Sequence, residues 1–196
     1  MTIFVNEPSS PKLWDQQKLS WTISTNRTKV TSSMNPKTKP TKVMADLETL
    51  GTRPGSIIIS IGATKFDENG PYGEPFYMRI DMQSCVDAGL LIDVDTVKWW
   101  MKQSDEARAE FQKESGHLYQ ALESFSFWCD ALFVRKFSIS ERRMVVNPSA
   151  NSNIELWGNG ANFDNSLLKA AYDKVGLEAP WEFWNDRCYR TLKAMY

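Results

Sequence analysis

Apolar and polar positions in the first half of the chain predict three consecutive β-strands. Residues 42–48 form a short, largely apolar stretch that ends at the turn-forming cluster 51–55. Residues 56–66 are rich in β-branched side chains and apolar enough for a central strand buried on both faces. A turn at 67–71 leads to a third apolar stretch at 75–80. The three strands are predicted to form an antiparallel meander.

Apolar residues spaced three to four apart predict helices in the second half of the chain. Asp95 and Ser104 are placed to cap two short helices. Apolar residues recur at helical spacing from 118 to 133. Residues 165–175 predict an amphipathic helix, and Gly176 follows it as a C-terminal glycine.

Further short elements are predicted around these helices. Residues 154–158 and 184–189 are suited to a fourth and a fifth strand, and 191–196 begins another helix. The basic and polar segment 135–153 is predicted to be a loop or an insertion. The order of strands, helices, strand, helix and strand predicts an α/β protein with the meander on one side of its sheet.

Composition fits one folded domain with some chain to spare. The chain has 196 residues, of which 42% are hydrophobic and 24% charged. It contains no run of ~18 apolar residues and does not start with a basic region followed by an apolar one, so we expect neither a membrane span nor a secretory signal. Three scattered cysteines are too few for a disulfide framework or a zinc knuckle, which favours a reduced, cytoplasmic protein.

The net charge of −1 hides an uneven distribution. Residues 1–43 hold seven Lys and Arg against two acids, which leaves 16 basic and 22 acidic residues in the remainder, a net of −6. We therefore divide the chain into a basic, mobile N-terminal arm, residues 1–40, and a folded domain, residues 41–196. The arm is interpreted either as a solvated leader or as an electrostatic arm that touches a phosphate backbone.

The first predicted strand carries two carboxylates, Asp46 and Glu48. Because side chains alternate along a strand, both lie on one face and Leu47 points to the other. Two neighbouring acids repel each other unless one is protonated or a cation lies between them. Hard divalent cations such as Mg²⁺ and Mn²⁺ prefer oxygen ligands, although a surface strand can also carry such a pair by chance.

A third acid, Asp164, follows the predicted strand 154–158 and precedes the predicted helix. It is interpreted either as a helix N-cap or as a third metal ligand at the edge of the sheet beside the first strand. Three acids at one edge can bind two cations ~3.5–4 Å apart, a site that activates water and stabilises the leaving oxygen in attack on phosphate.

Three motifs follow one another along the chain. The first is DLETLGTRPG at 46–55, the second is the pair Trp99 and Trp100 with QS at 103–104 and EAR at 106–108, and the third is GNGANFD at 158–164. Together they resemble the DEDD 3′–5′ exonucleases of the ribonuclease T superfamily, of the DEDDh type. The most similar branch is the phage and bacterial exodeoxyribonuclease VIII-like or exoribonuclease-like group. The resemblance covers residues 42–196.

The resemblance implies a ribonuclease H-like fold, a mixed sheet of about five strands flanked by helices. It implies a metal-dependent exonuclease acting on a single-stranded 3′ end of DNA or RNA, and it suggests a homodimer. The two Mg²⁺ or Mn²⁺ ions would be bound by Asp46, Glu48 and Asp164. The residues expected around the terminal nucleotide are Thr49, Leu50 (as a wedge against a base), Gly51, Asn162 and Phe163. Because the folded part is acidic, Arg53 and the basic cluster at 135–143 are expected to contribute affinity for phosphate.

Two other features have open interpretations. Trp99 and Trp100 differ by about 100° in direction on a helix, so either both are core residues or one is core and the other stacks on a base. Both being core is favoured. His117 is expected to be exposed or to cap the helix that follows it.

The family pattern also ends with a histidine and, five residues later, a fourth acid on a C-terminal helix. No such pair follows Asp164, and His117 is in the wrong place to replace it. We therefore expect a domain that is incomplete at its C-terminus, without the last helix. Loss of such a general base typically reduces the rate by ~10²–10⁴. Three functions stay open: the exonuclease, an inactive or split nucleic-acid-binding remnant, and an unrelated structural domain.

Overall fold

The computed structural model describes residues 40–129, 132–138, 143–149 and 153–196. The predicted arm lies outside them except for its last residue. The strands are β1 (Thr41–Thr49), β2 (Ile58–Asp67), β3 (Gly70–Arg79), β4 (Leu132–Ser138), β5 (Arg143–Ser149), β6 (Ile154–Gly158) and β7 (Asp186–Cys188). The helices are α1 (Met82–Asp87), α2 (Val94–Trp100), α3 (Asp105–Ala109), α4 (Leu118–Trp128), α5 (Asp164–Val175) and α6 (Tyr189–Lys193). Two 3₁₀ turns cover Glu110–Gln112 and Phe183–Asn185.

The main sheet has five strands in the order β3-β2-β1-β6-β7. The meander of β1, β2 and β3 is antiparallel, whereas β6 runs parallel to β1 and β7 parallel to β6. Helices flank this sheet, which confirms the predicted α/β, ribonuclease H-like class. The central strand β1 ends at the predicted DLE motif, so the two acids lie at the middle of the sheet.

The segment predicted to be a loop or insertion contains a two-stranded antiparallel sheet instead. Its strands β4 and β5 pair from Leu132 with Ser149 to Ser138 with Arg143. In β4 two basic residues interrupt the apolar run, and in β5 Asn147 and Pro148 follow a short one, which obscured the strand pattern in the sequence. Side chains of the predicted basic cluster at 135–143 lie outside the described residues.

Several helix ends differ from the prediction. Helix α2 is capped by Asp93 rather than Asp95, because the extended backbone of Asp93 lets its carboxylate accept from the N–H groups of Asp95 and Thr96. Helix α4 ends at Trp128, earlier than the predicted 133. The predicted C-terminal glycine is confirmed, since Gly176 ends α5 with a φ of 71°.

The core lies between the sheet and helices α4 and α5. Tyr172 of α5 is fully buried, and its hydroxyl donates to the carbonyl of Leu122 on α4 at 2.8 Å and lies 2.7 Å from the hydroxyl of Ser126. The apolar faces of both helices pack against the sheet through Leu118, Leu122, Phe125, Leu167 and Leu168. Among the described residues, none of the helices has both the length and the apolarity that crossing a bilayer requires.

Two strand glycines beside β1 provide a matched test of packing. A Cβ at Gly158 would lie 2.7 Å from Oδ1 of Asn165 and 3.0 Å from Oδ2 of Asp164, whereas a Cβ at Gly62 would meet nothing closer than 3.7 Å. We expect Gly158→Ala to destabilise the domain by about 1–3 kcal/mol through overpacking, and Gly62→Ala to change stability far less. Thermal unfolding measures both, at about 2–4 °C per kcal/mol. Equal melting temperatures for the two variants would contradict this account.

Candidate active site

The strand register places the two acids of β1 in the same cross-strand rows as two polar residues of β3, with β2 between them. Asp46 pairs across the sheet with Gly62, which pairs with Tyr77. In the next row on the same face, Glu48 pairs with Ser60, which pairs with Arg79. Asp46 and Glu48 are exposed while Leu47 is buried, which confirms that the two acids share one face of the strand.

Asp164 reaches the same place from the other side of β1. It is the first residue of α5 and is 4% exposed, and its Oδ1 accepts from the backbone N–H of Leu47 at 3.3 Å. The pairing of β1 with β6 ends at Ala45 and Gly158. The Leu47 N–H lies beyond this last pair, and the carboxylate of Asp164 accepts its hydrogen bond. The N-cap interpretation of Asp164 is wrong, because Phe163 occupies the N-cap without a side-chain hydrogen bond.

Asp46 acts electrostatically on the two other acids. Although Glu48 is exposed, partial loss of solvent around its carboxylate, and then the charge of Asp46, raise the pKa of Glu48 above its ordinary value. The pKa of Asp164 is also raised, chiefly by burial and further by Asp46, while backbone hydrogen bonds at Gly160 and Leu47 oppose the rise. The charge of Asp46 therefore acts on both other acids, and a bound proton or cation would relieve the repulsion.

The donor chemistry of this cluster fits a hard divalent cation. All three side chains offer carboxylate oxygens, the ligands that Mg²⁺ and Mn²⁺ prefer. As these side chains lie, the described part of the chain gathers no group of three or more His, Cys, Asp or Glu closely enough to hold an ion. Binding would require the exposed side chains of Asp46 and Glu48 to turn toward the more firmly held Asp164.

A cavity of about 520 Å³ opens beside the end of β1. Its wall is fixed by Trp100, whose Nε1 donates to the carbonyl of Thr49 at 2.9 Å, and by Asp93, whose N–H donates to the carbonyl of Leu50 at 2.7 Å. These two bonds attach both ends of α2 to the segment after the DLE motif. The residues that line the cavity include Glu48, Thr49, Thr52, Asp93, Asp95, Trp99, Trp100 and Phe163.

The residues predicted to contact the terminal nucleotide separate into two groups. Thr49 and Phe163 line this cavity. Leu50, the predicted wedge, is only 6% exposed and belongs to the core. Gly51 is buried against Ser56, and Asn162 is exposed outside the cavity wall.

Arg53, the predicted phosphate ligand, is exposed and also lies outside the wall of this cavity. Its charge nevertheless reaches Asp93. The pKa of Asp93 is lowered chiefly by the hydrogen bond from the Thr96 N–H, and Arg53 adds a smaller contribution. Arg53 is therefore close to an acid of the wall rather than part of the wall.

A second cavity, of about 240 Å³, lies over the face that carries Asp46 and Glu48. Tyr77 and Arg79 of β3 form one wall, and Trp100 and Phe111 another. Sequence analysis missed both residues of β3 and Phe111. The signal that could have found Tyr77 and Arg79 is their spacing of two, which matches that of the two acids two strands away.

The tryptophan pair and the single histidine also have defined places. Trp99 is 54% exposed and lines the larger cavity, so the favoured interpretation that both tryptophans are core residues is wrong. Trp100 is half-buried against Phe111 and lines both cavities. His117 caps α4, its Nδ1 accepting from the N–H of Tyr119 at 3.2 Å, as expected.

Comparison with known proteins gives one family match, which covers residues 41–196 and is described as the 3′-5′ exoribonuclease Rv2179c-like domain. A search of curated proteins finds no significant match. Similar solved structures include one titled "ExoI/SSB-Ct complex", with 16% identity and a TM-score of 0.49 over 81% of this chain and 30% of that one. Another is E. coli exonuclease I with a 5cy-dA13 oligonucleotide, with 17% identity and a TM-score of 0.47 over 80% of this chain and 29% of that one. The chain thus spans about 30% of the length of these solved chains.

The repulsion among the three acids predicts a pH-dependent gain in stability for Asp46→Asn. Because the folded-state pKa values of Glu48 and Asp164 are raised above their ordinary 4.5 and 3.8, the unfolded state loses these protons first, and stability falls as the pH rises through that range. Removing the charge of Asp46 reduces this fall. In EDTA, we expect the melting temperature of the variant to match that of wild type near about pH 3 and to exceed it increasingly toward pH 7. The difference should be about 2–4 °C for each kcal/mol by which the variant removes the repulsion.

The control for this measurement is Glu114→Gln, which removes an exposed carboxylate outside both cavities. We expect no comparable gain from it. If both variants gained equally, or if the gain from Asp46→Asn did not depend on pH, repulsion within the acid cluster would not be its cause.

Proposed function

The chain belongs to the 3′-5′ exoribonuclease Rv2179c-like domain family, and we propose that it hydrolyses the terminal phosphodiester bond at a single-stranded 3′ end, with Mg²⁺ or Mn²⁺, and releases nucleoside monophosphates. The observation that carries this proposal is the hydrogen bond from the Leu47 N–H to Asp164. It brings an acid from 117 residues further along the chain to the backbone between Asp46 and Glu48.

The three acids would hold the metal ions. Two divalent ions, when bound, activate a water and stabilise the leaving oxygen in an in-line displacement. Asp164 offers the oxygen that Leu47 does not use, and its burial fixes its direction. Asp46 and Glu48 offer exposed carboxylates on one strand face, which can adjust to the ions and to the phosphate between them.

The larger cavity is suited to the terminal nucleoside. The exposed ring of Trp99 and the half-buried ring of Phe163 offer apolar faces on which a base can stack. The carboxylates of Asp93 and Asp95 can accept from sugar hydroxyls or base amino groups. Glu48 stands at the border of this cavity, where the phosphate of a bound terminal nucleotide would lie.

One observation favours a second candidate, binding without hydrolysis. The chain has a single histidine, and the ring of His117 is engaged in capping α4. An imidazole is therefore not among the groups that line either cavity. In this candidate the acids and cavities hold a 3′ end, but no side chain assists the deprotonation of water.

A degradation assay separates the two candidates. The chain is incubated with 5′-labelled single-stranded DNA and RNA and Mn²⁺, together with Asp46→Ala and Glu114→Ala as matched carboxylate deletions inside and outside the site. For the exonuclease, we expect shortening from the 3′ end that EDTA abolishes, a loss of at least about 100-fold in Asp46→Ala, and no change in Glu114→Ala. Retained binding without shortening would support the second candidate and contradict hydrolysis by this chain.

A further inference from the structure

Glu48 and Trp100 form the boundary between the two cavities, because each of them lines both. We propose that the 240 Å³ cavity holds the base of the nucleotide on the 5′ side of the scissile bond, with Arg79 contacting the backbone phosphate of that nucleotide. This assignment rests on the proposed function and gives the bound strand a direction across the site. The larger cavity then holds the terminal nucleoside.

The larger cavity carries more negative charge than the smaller one, as the proposed direction of the strand requires. Among the described residues, the larger one is lined by three acids, Glu48, Asp93 and Asp95, and by no cation. A terminal nucleoside suits it, because its only phosphate is the scissile one at the boundary. The strand that continues in the 5′ direction brings a further phosphate with every nucleotide, and the smaller cavity carries, beside Asp46 and Glu48, the one cation that the described residues contribute to either cavity, Arg79.

The sheet provides a groove from the acids to Arg79. The strand between β1 and β3 presents only Gly62 and Ser60 at the positions opposite Asp46 and Glu48. These small residues leave space above β2. With strands about 4.8 Å apart, the backbones at Glu48 and Arg79 are separated by roughly 10 Å. A nucleotide attached to the scissile phosphate at Glu48 can lie in this groove with its next phosphate toward Arg79.

Aromatic side chains offer faces for the base of this nucleotide. Tyr77 is 56% exposed, and the guanidinium of Arg79 lies 5.2 Å from its ring centroid. On the other wall, Trp100 and Phe111 pack edge to face with their centroids 5.0 Å apart. A cavity of 240 Å³ is below the ~300–1,000 Å³ of sites that enclose a drug-sized ligand, so it suits one base rather than a whole nucleotide. Stacking tolerates any base, which suits an exonuclease without sequence preference.

Two types of substrate distinguish a failure of this proposal from a failure of the proposed function. The 5′-(p-nitrophenyl phosphate) esters of thymidine and uridine carry the terminal nucleoside and a scissile phosphodiester, but no nucleotide on the 5′ side. Single-stranded DNA and RNA 10-mers carry both. If the wild-type protein cleaves neither type, the proposed function fails. If it cleaves both, variants of the protein test the subsite.

We expect Arg79→Ala to lower kcat/KM by about 10- to 100-fold on the 10-mers and to leave kcat/KM on the esters within about 3-fold of wild type. Arg79→Lys should recover part of the loss, because it keeps the charge. The control is Lys102→Ala, which removes an exposed cation that lines neither cavity and should leave both substrates unaffected. A loss in Arg79→Ala that is equal for esters and 10-mers would overturn the proposal, since it would indicate a role in folding or in the reaction itself.

The salt dependence provides a readout that a merely structural role would not change. For the 10-mers, the slope of log(kcat/KM) against log[KCl] should become shallower by about 0.7 in Arg79→Ala, the value for one lost contact to a single-strand phosphate. Tyr77→Ala should lower kcat/KM on the 10-mers by about 10-fold without changing that slope. An unchanged slope in Arg79→Ala would also overturn the phosphate contact.

Discussion

The candidate site depends on one hydrogen bond, from the N–H of Leu47 to the carboxylate of Asp164. Strand β6 ends at Gly158, so β1 extends beyond its parallel partner, and a buried backbone N–H there needs an acceptor. Asp164 supplies it, and the absence of a side chain at Gly158 lets the carboxylate come close to the sheet. A backbone requirement at the middle of the sheet thus brings a third acid close enough to Asp46 for their charges to repel.

The position of α2 gives the site its shape. Hydrogen bonds from Asp93 to Leu50 and from Trp100 to Thr49 attach both ends of this short helix to the chain just after the two acids. Neither bond depends on the charge of the acids. The cavity walls are therefore built independently of the charge state of the acids, and the aromatic faces are in place without a ligand.

The sequence was sufficient to predict the five strands of the main sheet from short apolar stretches between turn-forming residues. It was also sufficient to predict the shared face of Asp46 and Glu48, because side chains alternate along a strand. It could not show that Leu50 would be buried while Trp99 is exposed. The orientation of the loop after β1 and of α2 depends on contacts between distant residues, such as the bond from Trp100 to Thr49, 51 positions apart. Tyr77 and Arg79 were missed for a related reason. Their spacing of two matches that of the acids, but only the register across three strands puts the two pairs in the same rows.

Trp100 has a consequence for how a strand would advance. Its ring is held by the bond to Thr49 and by Phe111, so it forms a fixed ridge between the two cavities. If the two cavities hold successive nucleotides as proposed, a new terminal base would have to pass from the Tyr77 side of this ridge to the Trp99 side after each monophosphate left. Translocation would then include an unstacking step in every round, and that step would limit how fast successive nucleotides could be removed, whatever the rate of phosphodiester hydrolysis.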